Sequence, residues 1–220
     1  MRTLHASFIL FLVLCCSVAA TAQDQPSIRL VAAAPTSAAT PASLASDITG
    51  TVPALRAGAE TSGFLDGTVW AAVARRHELD PRLLYGVALQ ETRHRAGPHT
   101  SAPWPYTLRG PTGPQFHASR PAAARALRKL MARHRPEAID VGLMQINLHW
   151  HGDKVADPAQ LLDARTNLEI AAEILVEAIQ SAPGDLALGV GRYHHWKDAA
   201  IARAYGRRVL RLVRAMTASG

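Results

Sequence analysis

The sequence predicts a mainly α-helical domain carrying one small β-hairpin. Three observations lead there. After position 64, apolar residues recur at spacings of three and four along most of the chain, the signature of amphipathic helices. Within that region prolines and glycines crowd one stretch, 96–117, where two short alternating segments flank a Gly-Pro-Thr-Gly turn. About 150 residues follow the low-complexity part without an internal repeat, a normal size for one domain.

The elements follow in order. Met1 to Ala22, "MRTLHASFILFLVLCCSVAATA", has a basic start at Arg2, an apolar run from Phe8 to Val18 and a small-x-small end, Ala20-Thr21-Ala22. This is the pattern of a secretory signal peptide, and it predicts an exported, periplasmic chain. The apolar run is short of the roughly 20 residues a spanning helix needs. Leu14 stands before Cys15 where a lipoprotein signal would carry a small residue. Both cysteines, Cys15 and Cys16, lie inside this segment, so the mature chain must rely on its core without disulfides. Loss of Arg2 takes the net charge from +7 to about +6. Such a balance suits an acidic polymer, whether nucleic acid, anionic membrane or wall glycan. Residues 23–63 are rich in Ala, Thr, Ser, Pro and Gly and read as a flexible linker, leaving 64–217 for the domain.

"FLDGTVWAAVARRHEL" opens that domain as a helix, with Val69, Trp70, Val73 and Leu79 apolar and Arg75-Arg76 on another face. Asp80-Pro81 caps a second helix, "RLLYGVALQETRH", in which Leu84, Val87, Ala88 and Glu91 share a stripe. Strands are predicted around Tyr106–Arg109 and Gln115–His117. Ser119 and Pro121 open a third helix. "DVGLMQINLHW" (140–150) reads as extended after Gly142. "TNLEIAAEILVEAIQ", "DLALGVGRYHHW" and "DAAIARAYGRRVLRLVRAM" complete the set as helices.

Glu91 leads the chemically interesting residues. A carboxylate on an apolar stripe is desolvated, and desolvation favours its protonated form, which suits a general acid. Exposure, or pairing with Arg93 or Arg95, is the plain alternative. Gln145 and Asn147 alternate in an otherwise apolar run, which places both on one side of an extended strand. They are either cleft amides that meet sugar hydroxyl and acetamido groups or turn amides that satisfy backbone. Gly142 permits close backbone approach. His149-x-His151 and His194-His195 invite a metal, yet lack a supporting cysteine or a zinc-site spacing, so no metal and no cofactor is expected. No Gly-rich phosphate loop or Ser/His/Asp set appears. "YGRRVLRLVRAM" carries Val209, Leu210, Leu212 and Val213 at core spacing, so it packs with its arginines solvated, and nucleic acid is not expected as a partner.

"ALQET" (88–92), "GLMQIN" (142–147), "TNLEIAAEIL" (166–175), "GRYHH" (191–195) and "YGRRVL" (205–210) stand in the order seen in soluble lytic transglycosylase (SLT-type) domains, and the chain resembles them from about Trp70 to Leu212. With "PWPYTLRG" upstream, it looks like the subgroup encoded with conjugative elements and type IV secretion systems. The resemblance implies a lysozyme-like, mainly helical fold with a glycan-binding cleft. It implies cleavage between N-acetylmuramic acid and N-acetylglucosamine in peptidoglycan, leaving a 1,6-anhydromuramoyl end, and partners among secretion components. By position it makes Glu91 the single catalytic acid and base. Gly142, Leu143, Met144 and Gln145 become the cleft wall, joined by Asn147, with Tyr193 near the carboxyl. The chain departs from the commonest pattern in three places. Thr92 stands for Ser, about fifty residues separate Glu91 from Gly142, and His194 stands where Asn is common. Two further readings stay open: a hydrolytic muramidase of the same fold, and a catalytically silent wall-binding assembly protein.

Overall fold

The computed structural model describes residues 63–92, 94–97 and 100–218. The predicted signal peptide and nearly all of the predicted linker lie outside the described residues. The first two helices are set by their caps. The Thr68 hydroxyl accepts from the Ala71 amide and starts α1 (Val69–Arg76). Asp80 accepts from the Arg82 amide at 2.8 Å, ahead of Pro81, and opens α2 (Pro81–Thr92). Caps of this kind satisfy amides that a helix start leaves without partners. Trp70 and Tyr85 meet edge to face at 5.1 Å and lock the pair together.

Helix α2 ends at Thr92, earlier than the sequence pattern predicts, and the chain turns into β1 (His94–Gly97) paired with β2 (Thr100–Ala102). This hairpin was not expected, for its residues carry no alternating apolar set. The next one was. Strands β3 (Thr107–Gly110) and β4 (Gly113–Phe116) pair antiparallel around the Gly110-Pro111-Thr112-Gly113 turn, with Arg109 opposite Pro114 and Thr107 opposite Phe116. Two short strands extend it, β5 (Asp140–Val141) and β6 (Ile146–Asn147), in the antiparallel order β4-β3-β5-β6. The predicted hairpin is thus half of a four-stranded sheet.

Helix α3 (Arg120–Met131) begins at Ser119, whose hydroxyl accepts from the Ala122 amide. A short helix α4 (Leu148–His151) follows β6. Helices α5 (Ala164–Gln180), α6 (Leu186–Arg192) and α7 (Ala199–Ala218) complete the chain, the first two capped by Asp163 and Asp185. The fold is mainly helical, as predicted, with a small four-stranded antiparallel sheet where a lone hairpin was expected. Helices α6 and α7 cross in close contact: a β-carbon at Gly191 would strike the Ala202 carbonyl, and one at Gly206 would strike that of Ala187. Leu84, Val87, Leu108, Val141, Met144, Leu168, Leu175 and Val209 lie in one buried cluster joining α2, the sheet, α5 and α7. Among the described residues no helix is long and apolar enough to cross a membrane.

Candidate active site

Glu91 is the penultimate residue of α2. Its side chain is only 14% exposed. The Tyr205 hydroxyl of α7 donates to Glu91 Oε1 at 2.6 Å, across 114 residues of sequence. His194, just beyond α6, places Nδ1 3.5 Å from the same oxygen. The His194 ring stacks on Tyr205 with centroids 4.6 Å apart and planes 6° off parallel. Two groups therefore converge on Oε1. Burial, reinforced by the charge and hydrogen bond of Glu91, pushes the Tyr205 phenol well above its usual range. It stays a neutral O–H donor. The alternative of pairing Glu91 with Arg93 or Arg95 falls on side chains outside the described residues.

Glu91 opens on a recess of about 400 Å³ between the end of α2, the β3–β4 hairpin and α7. Thr92 borders it, but its hydroxyl is spent on the Ala88 carbonyl at 2.9 Å.

The stretch 142–147 is built differently from the expectation. Gln145 and Asn147 do not share one side of a strand. Gly142 to Gln145 is a tight turn in which both ends sit at positive φ, +87° and +49°. The Gln145 amide points back into that turn. Its Nε2 donates to the Gly142 carbonyl at 2.9 Å and to that of Thr107 at 3.4 Å. Asn147 Nδ2 donates to Asp140 Oδ1 at 2.8 Å and to the Glu137 carbonyl, while its Oδ1 caps α4 through the His149 amide. Neither amide lines the recess. The physical reason is backbone demand: a four-residue turn between two-residue strands leaves polar groups that nearby amides must satisfy. The close approach at Gly142 is real, but its neighbours are the Asn167 amide and the Leu161 carbonyl.

Asn167 of α5 is the residue the sequence reading passed over. Wholly buried, it accepts from the Met144 amide and donates to the carbonyls of Val141 and Leu161 at 2.8–3.0 Å. Its signal was present as an amide on the apolar face of α5, beside Leu168, Ile170 and Ala171, where a buried amide must find partners. Leu143 and Met144 are buried in the core. Tyr193 donates to the Met144 carbonyl at 2.7 Å. Burial and then the charges of Glu91 and Asp140 push its phenol far up.

Asp140 sits beside this group. Burial pushes its carboxyl up, the bond from Asn147 opposes that, and the Glu91 charge adds to it. His149 faces Glu137 at 3.6 Å, and among the described residues no group of three or more His, Cys, Asp or Glu is placed to hold a metal ion. Comparison with protein-family models, curated proteins and solved structures finds no match.

Proposed function

We propose that the chain is a peptidoglycan lytic transglycosylase with Glu91 as its catalytic acid and base. The observation that carries this reading is a single largely buried carboxylate at the edge of an open recess, its Oε1 tethered by Tyr205. With Oε1 engaged, Oε2 is the oxygen left to exchange a proton with substrate. The mainly helical frame with a small sheet beside the carboxylate is compatible with a lysozyme-like fold. Glu91 protonates the glycosidic oxygen as the bond from C1 breaks. The sugar's own acetamido group steadies the cationic centre. The ionised Glu91 then takes the proton of the muramoyl C6 hydroxyl as O6 closes on C1. One residue serves twice, and no water is consumed. Export to the periplasm, and local wall opening for a conjugation or secretion apparatus, complete the proposal.

Mass analysis of products from purified peptidoglycan tests it. A transglycosylase releases fragments lighter by one water than those of a muramidase. Glu91→Gln is expected to fold normally and to lose at least about 10²-fold in rate, since general acid–base action typically contributes 10²–10⁴-fold. Wild-type turnover in the folded variant would remove Glu91 from the mechanism.

A hydrolytic muramidase is the second reading, and Asp140 favours it. Hydrolytic glycosidases use two carboxylates, and Asp140 is within the field of Glu91. Hydrated products lost in Asp140→Asn would establish that reading. Anhydro products that persist in the variant would exclude it.

A further inference from the structure

The segment between Glu91 and Gly142 is the part of the chain that the catalytic reading leaves without a task. Its β3–β4 hairpin forms one wall of the recess. Leu108 faces the core, while Arg109, Pro114 and Phe116 alternate onto the other side of the hairpin, where all three line the recess. Phe116 is 41% exposed, large for an aromatic ring. It is nevertheless fixed from behind. The edge of His94 meets it at 4.9 Å, His94 stacks on Trp104 at 4.8 Å, and the Trp104 indole N–H bonds the His117 carbonyl at 2.8 Å. Across the recess, Arg208 of α7 rests its guanidinium 5.8 Å over the Tyr205 ring. Among the described residues, neither Arg109 nor Arg208 joins an ion pair, unlike Arg76, Arg82, Arg135 and Arg203. Arg109 stands directly opposite Asp140 in the β3–β5 pair and acts on its charge without forming an ion pair. Two guanidiniums outside any ion pair, one of them over the Tyr205 ring, and an exposed, braced aromatic ring thus share one recess with Glu91.

We propose that this wall selects glycans bearing free carboxylates: Arg109 and Arg208 grip a carboxylate of the substrate's peptide substituent while Phe116 packs against the adjoining sugar ring. The proposal rests on the transglycosylase reading and names the substrate form it prefers. A guanidinium presents two parallel N–H donors that match a carboxylate, a geometry that lysine lacks. Arg109 and Arg208 line the recess with Glu91, and Asp140 stands opposite Arg109 on β5, so the guanidiniums balance the two carboxylates and an anionic group can enter without net repulsion. An amidated substrate offers no charge for the two guanidiniums to pair with.

The test compares the full chain with its Arg109→Gln, Arg208→Gln and double variants on two substrates. One is purified wall glycan with its peptide carboxylates free. The other is the same material after carbodiimide coupling to ammonia. Circular dichroism establishes that each variant folds. On the free-carboxylate glycan each single variant is expected to raise KM about tenfold, the scale of one charge-assisted contact, with kcat within about twofold. On amidated glycan the wild-type KM should already be raised, and the variants should add little. Equal wild-type KM on both substrates overturns the proposal, as does an equal loss in the double variant on both. Should no glycan be cleaved, the catalytic reading falls by itself. Retention of the full chain on insoluble wall, before and after amidation, then decides the inference. Carboxylate-dependent retention lost in the double variant upholds it, and equal retention overturns it.

Discussion

Glu91 has its neighbours because two side chains distant in sequence, Tyr205 and His194, were brought to it. Its position on an apolar stripe was legible, because a carboxylate among Leu84, Val87 and Ala88 contradicts its surroundings. Tyr205 was not. "YGRRVL" reads as a packing helix with a basic face, and the partner of its hydroxyl lies 114 residues upstream. Only the rule that a buried phenol finds a hydrogen-bond partner hinted at it. Tyr205→Phe keeps the ring that stacks on His194 and removes the donor to Glu91. Turnover should fall about tenfold or more and the melting temperature by several degrees, since bonds to charged groups are worth roughly 1.5–3 kcal/mol and the carboxylate left behind is largely buried. Undiminished turnover would leave the tether without a catalytic role. Asp140 permits a prediction in pH. Its folded-state affinity for the proton is raised, chiefly by burial, so the fold holds that proton more tightly than the unfolded chain does. Stability then declines as pH rises from the unfolded value, about 3.9, through the higher folded one. Asp140→Asn keeps an acceptor for Asn147 without the charge. It should melt higher than wild type at pH 7, with the gap closing in acid below about pH 4. A constant gap across that range would mean that the carboxyl carries no burial penalty.

At the scale of elements, caps and turns were the legible features and hydrogen-bond accounting was not. Ser119 with Pro121 and Asp80 with Pro81 announced their helices, and the Gly-Pro-Thr-Gly turn announced β3–β4. The β1–β2 pair was silent because strands of His, Arg, Ala, Gly, Thr and Ser carry no period-two apolar signal. The stretch from Gly142 to Asn147 was misread in direction. Alternation assumes an extended backbone, and the positive φ of Gln145 breaks it. What holds that turn is Asn167, placed by α5 from the opposite side. Asn167→Ala leaves the Met144 amide and the carbonyls of Val141 and Leu161 without their partner. Each stranded buried group costs roughly 1–3 kcal/mol, so a loss of about 3 kcal/mol or more is expected in urea unfolding. Since the turn carries the carbonyl that Tyr193 holds, activity per folded molecule should fall as well. An unfolding free energy within about 0.5 kcal/mol of wild type would show that the turn does not depend on Asn167.

For the whole molecule, the site exists only where α2, the sheet, α6 and α7 meet, so no single segment displays it. Charge is the one property visible at this scale from composition alone. The chain carries +7, and α7 adds a solvent face on which Arg207, Arg211 and Arg214 are exposed at spacings of four and three. Tyr205, Gly206 and Val209 of the same helix are buried. On the proposed function, an acidic polymer such as wall glycan would be met first by this long-range field and only then by the recess. The field reaches about 30 Å at 0.01 M ionic strength and about 8 Å at 0.15 M. Raising salt between those limits should therefore lower the rate at subsaturating glycan several-fold. The maximal rate should barely move, because Glu91 and Tyr205 sit in a buried pair that solvent ions screen little. Arg207→Gln with Arg211→Gln and Arg214→Gln should flatten that salt dependence and leave kcat unchanged, for none of the three lines the recess. Measured initial rates against glycan concentration at both ionic strengths separate the two effects. A salt response confined to kcat would mean that the field acts on the chemistry and not on the encounter, and the basic face of α7 would then have no part in bringing substrate to the site.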